Sequence, residues 1–76
     1  MDSYYRRIRD MREDNDMTQK EVSEYLGMKQ SQYSRYERGY RDIPTDVLIK
    51  LAFLFETSTD YLLGITDVKT PYRRLT

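Results

Sequence analysis

Apolar positions recur at helical spacing along most of this chain. Tyr4, Ile8 and Met11 fall at i, i+4 and i+7, with Tyr5 beside them. This predicts an amphipathic first helix over about residues 3–13, with Arg6, Arg7 and Arg9 facing away from the core. Asp14, Asn15 and Asp16 then act as a stop. Thr18 followed by Glu21 is a capping-box pattern, and Met17 with Val22 fits a hydrophobic staple, so a second helix starts there. Val22, Tyr25 and Leu26 are expected at or near its inner face, Ser23 leaves room for a crossing helix, and Gly27 closes it. A third helix runs over about residues 29–38, anchored by Tyr33 and Tyr36, with Met28 at its entrance and Gly39 beyond its end.

Pro44 suits the first turn of a fourth helix, where its missing N–H costs nothing. Leu48, Leu51, Ala52 and Phe55 form one stripe of that helix, Ile49 and Phe53 a second, and Leu54 adds to its apolar bulk. Ser58 and Asp60 begin a short fifth helix containing Tyr61, Leu62 and Leu63 and stopped by Gly64. Residues 65–76 lack periodicity and are expected as a tail, with a frayed end as its simplest reading. Strand signals are missing: there is no sustained period-two alternation and no Asn-Gly or Asp-Gly hairpin. The expected fold class is all-α, with a domain over residues 1–64 and a tail over 65–76 that is either disordered or involved in dimerisation.

The third helix is unusual in how little apolar surface it has. Around Tyr33 and Tyr36 it carries Gln30, Ser31, Gln32, Ser34 and Arg35. Two short helices joined at a tight glycine turn, the second of them polar, form a device for placing one helix in the major groove of DNA. Gln30 has the donor–acceptor pair that matches adenine N6 and N7, and Arg35 the fork that matches guanine O6 and N7. Ser31 and Gln32 share that polar face and are also assigned to bases. Gln19 at the start of the second helix is assigned to a phosphate, since helix N-termini favour anions. Lys29, Arg38 and Arg41 are assigned to phosphates by charge, and Ser34 joins that set.

Charge refines the picture. The chain of 76 residues has 13 Lys+Arg and 13 Asp+Glu, so its net charge is zero, unlike a general nucleic-acid coat protein. The distribution is uneven. Residues 29–41 hold Lys29, Arg35, Arg38 and Arg41 against only Glu37, and the tail adds Lys69, Arg73 and Arg74. Residues 42–68 hold Lys50 against Asp42, Asp46, Glu56, Asp60 and Asp67. Cysteine and histidine are both absent, which removes disulfides, thiolate or imidazole metal sites, and the Ser/His/Asp or Cys/His catalytic sets. No phosphate-cradling glycine loop is present. An enzyme, a cofactor, a metal site and a small-molecule ligand are therefore not expected. The eight tyrosines fall mostly at core spacing rather than as a stacking platform for single strands. No apolar run approaches a membrane span and no signal peptide precedes the first helix, so a soluble cytoplasmic protein is expected.

The segment from Ile8 to Gly64 resembles the lambda-repressor-like DNA-binding domains, of the Cro/C1 (XRE) type found in bacterial and phage regulators. The residues that carry the resemblance are Ile8 and Arg12, then TQKEVSEYLG, the helix ending YERG, LIKLAFLF and STDYLLG, in order and without insertions. The resemblance implies a compact five-helix domain. It implies that Gln19 meets a backbone phosphate, that Gln30, Ser31 and Arg35 face the groove, and that Arg38, Tyr40 and Arg41 follow the DNA backbone. It implies a structural salt bridge between Arg12 and Glu37. Three positions depart from the pattern: Lys29 stands where the family has a capping hydroxyl, and Tyr33 and Tyr36 stand where it has aliphatic residues.

The resulting expectation is a sequence-specific regulator of transcription, acting as a repressor on double-stranded DNA. A homodimer is expected, because one such helix reads only a few base pairs, with Ile49, Phe53, Leu63 and Ile65 available for its surface. The alternative is a protein-interaction module on the same fold, such as an antitoxin or antirepressor.

Overall fold

Polar caps and left-handed turns cut this chain into its elements. The computed structural model describes residues 6–71. In chain order it contains α1 (Arg6–Asp14), α2 (Gln19–Leu26), α3 (Gln30–Glu37), α4 (Thr45–Leu54) and α5 (Thr59–Leu63). The described residues contain no strand. Tyr4 and Tyr5, expected on the first helix, and Arg73 and Arg74 of the tail lie outside the described residues.

The capping box of α2 is complete. The Glu21 N–H donates to Thr18 Oγ1 at 3.1 Å, and the Thr18 N–H donates to Glu21 Oε1 at 3.0 Å. The Thr18 backbone N–H first, and then the Thr18 hydroxyl, hold the Glu21 carboxyl below its ordinary range. α5 starts in a similar way, its Tyr61 N–H donating to Ser58 Oγ at 3.0 Å. Lys29 and Pro44 precede α3 and α4 and make no side-chain cap. Pro44 thus stands one residue outside the helical turn expected to contain it.

All five helices end on a residue in the left-handed region. After α2, Gly27 has φ +71°, its N–H donates to the Glu24 carbonyl at 3.1 Å, and the Met28 N–H reaches the Ser23 carbonyl at 3.0 Å. That pair of bonds satisfies carbonyls that a helix end otherwise leaves open. A Cβ at Gly27 would meet nothing within 4 Å, so the backbone conformation, not space, calls for glycine. The same pair of bonds follows α3 at Gly39 and α5 at Gly64. After α1 and α4 it is made by non-glycine residues, Asp16 (φ +54°) and Glu56 (φ +52°).

The core takes residues from every helix: Ile8 and Met11, Val22 and Leu26, Tyr33 and Tyr36, Val47, Leu51 and Ala52, and Leu62, with Phe55 just past α4. α1 packs on α3 and α5, α2 on α3, and α4 on α5. Val47, not assigned to the inner stripe of α4, is buried, while Leu48 is only partly so. Tyr25, expected near the inner face of α2, is 49% exposed. Ile49 and Phe53 remain on the surface.

Arg7 does not face away as the helical pattern suggested. Its guanidinium lies 4.3 Å from the centre of the Tyr61 ring. It donates to the Tyr61 carbonyl at 3.0 Å, to the Thr66 carbonyl, and to Asp67 Oδ1 at 2.6 Å. The hydroxyl of buried Thr57 donates to the Lys69 carbonyl at 2.6 Å, and Lys69 Nζ lies 3.6 Å from Asp14. Residues 65–71, which have no periodicity of their own, are therefore tied back onto α1 and the end of α4. No helix among the described residues is long and apolar enough to cross a membrane.

Candidate nucleic-acid interface

The narrow apolar stripe of α3 fixes which of its side chains face outward. Tyr33 and Tyr36 go into the core and Glu37 is buried beside them. At 3.6 residues per turn this leaves Gln30, Ser31, Gln32 and Arg35 exposed and Ser34 partly so. The three-residue turn Gly27-Met28-Lys29 sets α2 against α3, so the start of α2 stands beside the outer face of α3.

Between them lies an open groove lined by Gln19, Gln30, Ser31, Ser34, Arg35, Arg38 and Tyr40. A neighbouring depression is lined by Ser31, Gln32, Arg35 and Arg41. Ser31 and Arg35 belong to both, so the two form one polar surface. Every charged residue lining it is an arginine. The structure thus brings the proposed base-facing residues together with Gln19, Ser34, Arg38, Tyr40 and Arg41. Lys29 is exposed at the N-cap of α3, beside this surface, with its side chain uninvolved in capping.

Behind the groove is a buried ion pair. Arg12 Nε donates to Glu37 Oε2 at 2.7 Å and Arg12 Nη2 to Oε1 at 3.2 Å. Arg12 Nη1 also donates to the Met17 carbonyl at 2.9 Å. The Glu37 side chain is only 3% exposed and that of Arg12 13%. The carboxylate bond raises the Arg12 pKa further above its already high value. Glu37 thereby keeps its charge away from the groove surface. Burial, and then the adjacent Glu37 carboxylate, push the Tyr33 hydroxyl well above its usual range, and that hydroxyl has no hydrogen-bond partner among the described residues.

One link escaped the sequence reading. Gln19 Nε2 donates to Glu37 Oε1 at 3.3 Å. Gln19 and Glu37 belong to different helices, and only the closeness of the start of α2 to the end of α3 connects them. Eighteen residues separate them along the chain, which no helical spacing encodes.

A family model described as helix-turn-helix matches residues 8–62. The HTH-type transcriptional regulator ImmR of Bacillus subtilis is 46% identical over 63 residues, covering 83% of this chain and 50% of that protein. The uncharacterized HTH-type transcriptional regulator YobD of the same organism is 37% identical over 68 residues, covering 90% of this chain and 61% of that protein. The chain thus spans about half to three fifths of the length of these relatives. Among solved structures, the P22 c2 repressor in complex with synthetic operator 9T matches with a TM-score of 0.74 and 25% identity. That match covers 83% of this chain and 96% of the repressor chain.

Proposed function

The chain belongs to the Cro/C1-type helix-turn-helix family, and from that premise we propose that it is a sequence-specific reader of double-stranded DNA that regulates transcription as a repressor. The carrying observation is the groove of Gln19, Gln30, Ser31, Ser34, Arg35, Arg38 and Tyr40, every one of which carries a hydrogen-bonding group, charged only by arginine. α3 enters the major groove. Gln30 pairs with adenine, Arg35 with guanine, and Ser31 and Gln32 contact neighbouring base edges, each bidentate pair contributing roughly 1–3 kcal/mol of discrimination. Gln19, Lys29, Ser34, Arg38, Tyr40 and Arg41 hold the phosphates and set the register. The match to a repressor in complex with a synthetic operator supports double-stranded DNA as the partner. Residues 1–64 form the reading domain, and residues 65–76 its tail.

The protein binds as a homodimer. Ile49, Phe53, Leu63 and Ile65 are all exposed and supply the apolar surface for a second copy. Ile65, 71% exposed, is the most sensitive position, so Ile65→Asp is expected to weaken association in sedimentation equilibrium. A strict monomer even on DNA would remove the dimer.

The test of the reading is selection from a pool of random duplexes at moderate salt, followed by sequencing. The expected result is an enriched two-fold site that Gln30→Ala and Arg35→Ala relax or abolish. Affinity is expected to fall steeply with salt, and Arg38→Ala to lower that slope by about one. Retention without an enriched site, or affinity insensitive to salt, would favour a protein-interaction module.

A further inference from the structure

We propose that Glu37 is a positioning residue for DNA binding, acting through Gln19: it fixes the amide so that one N–H is held and the other is left to meet a phosphate. This rests on the DNA-reading function proposed above.

Glu37 closes α3 and Gln19 opens α2, and the 3.3 Å bond joins the two ends beneath the groove. A carboxylate only accepts hydrogen bonds, so the group turned toward Glu37 has to be the amide nitrogen. A primary amide nitrogen has two hydrogens pointing in different directions. Donating one to Glu37 leaves the second available on a side chain that lines the groove. Without the carboxylate, the amide is free to rotate and present its carbonyl oxygen, which repels a phosphate.

A bare carboxylate here would also repel the duplex. The two bonds from Arg12, at 2.7 and 3.2 Å, and the burial of Glu37 remove that penalty. Arg12 is itself tied to the Met17 carbonyl, in the turn that leads into α2. One carboxylate thus holds α1, the entry to α2, the first residue of α2 and the last residue of α3. It orients a groove side chain without reaching the groove surface.

The test is a double-mutant cycle on binding to the duplex selected by the wild-type protein, using Gln19→Ala, Glu37→Asp and the double variant. Asp retains the negative charge for Arg12 but is one methylene shorter, so it gives up the reach to Gln19. Gln19→Ala and Glu37→Asp are each expected to weaken binding about fivefold, the scale of one net hydrogen bond. The double variant is expected to be no weaker than Gln19→Ala alone. In the free protein, the side-chain amide proton resonances of Gln19 are expected to move in Glu37→Asp. Should Glu37→Asp fold poorly, the two side-chain amide protons of Gln19 are read in the wild-type protein instead: on adding the selected duplex one is expected to shift and the one held by Glu37 to stay, and equal shifts of both would overturn positioning. Equal losses from the Glu37 change with and without Gln19 would overturn positioning and leave a structural role. Gln19→Ala with unchanged affinity would overturn it while leaving DNA reading intact. A wild-type protein that retains no duplex would overturn both.

Discussion

Arg12 and Glu37 show how much the surroundings of a side chain decide. Arg12 sits on a helix of many charged residues and Glu37 on one that has only Arg35 besides, yet this pair is withdrawn from water and bonded through both carboxylate oxygens. Removing one partner strands the other charge in a poorly hydrated site, which costs about 3 kcal/mol or more. Arg12→Ala is therefore expected to lower stability by about that amount, whereas Lys20→Ala on the exposed side of α2 changes it by less than about 0.5 kcal/mol. Equal denaturant midpoints for the two variants would contradict the pairing. Tyr33 presents the opposite case. Its ring fills the core, fully buried, while its hydroxyl finds no partner among the described residues. Tyr33→Phe keeps the ring and removes an unpaired polar atom, so a gain of up to about 1 kcal/mol is expected in urea unfolding. A loss would show that the hydroxyl is bonded after all.

At the scale of elements, the ends of the helices are more alike than their sequences suggest. Five left-handed closures with the same two backbone bonds define the lengths of five short helices. Three of them fall on glycine and are legible from the sequence. Asp16 is legible within a run of residues that stop helices. Glu56 is not: glutamate at φ +52° has a Cβ too close to its own carbonyl, and nothing in the sequence marks it as a turn. Glu56→Gly is expected to raise stability by about 0.5 kcal/mol, the relief of strain exceeding the added freedom of the unfolded chain. Thermal unfolding decides it, and a lower midpoint would mean that Glu56 carries no backbone strain. The inner stripe of α4 was legible only in part. Its apolar residues exceed what one face can bury, so the pattern alone does not select Val47 over Leu48.

At the scale of the molecule, the segment after α5 is joined to the body by Arg7, Thr57 and Lys69. These contacts differ in worth. Asp67 is 97% exposed, so its ion pair with Arg7 is screened and contributes little. The carbonyl bonds and the Tyr61 ring lie in a drier place and contribute more. Arg7→Ala is expected to cost about 1–2 kcal/mol and Asp67→Ala less than about 0.5 kcal/mol, both read from chemical denaturation. Comparable losses in the two variants would mean that the exposed ion pair is the true fastening.

Taken alone, the sequence determined what depends on near neighbours. The helical period, the Thr18–Glu21 box, the glycine closures and the polar face of α3 are set by residues within a few positions of one another, so they are present in the string itself. The short turn at Gly27 also placed α2 beside α3, and with it most of the candidate interface. The tertiary structure alone decided what depends on distant parts meeting. It turned Arg7 inward onto Tyr61 and the tail, left Tyr25 outside, selected the buried side of α4, and brought Gln19 to Glu37. Those outcomes are set by how helix ends and faces pack in three dimensions, where a period of 3.6 residues carries no information about which partner arrives.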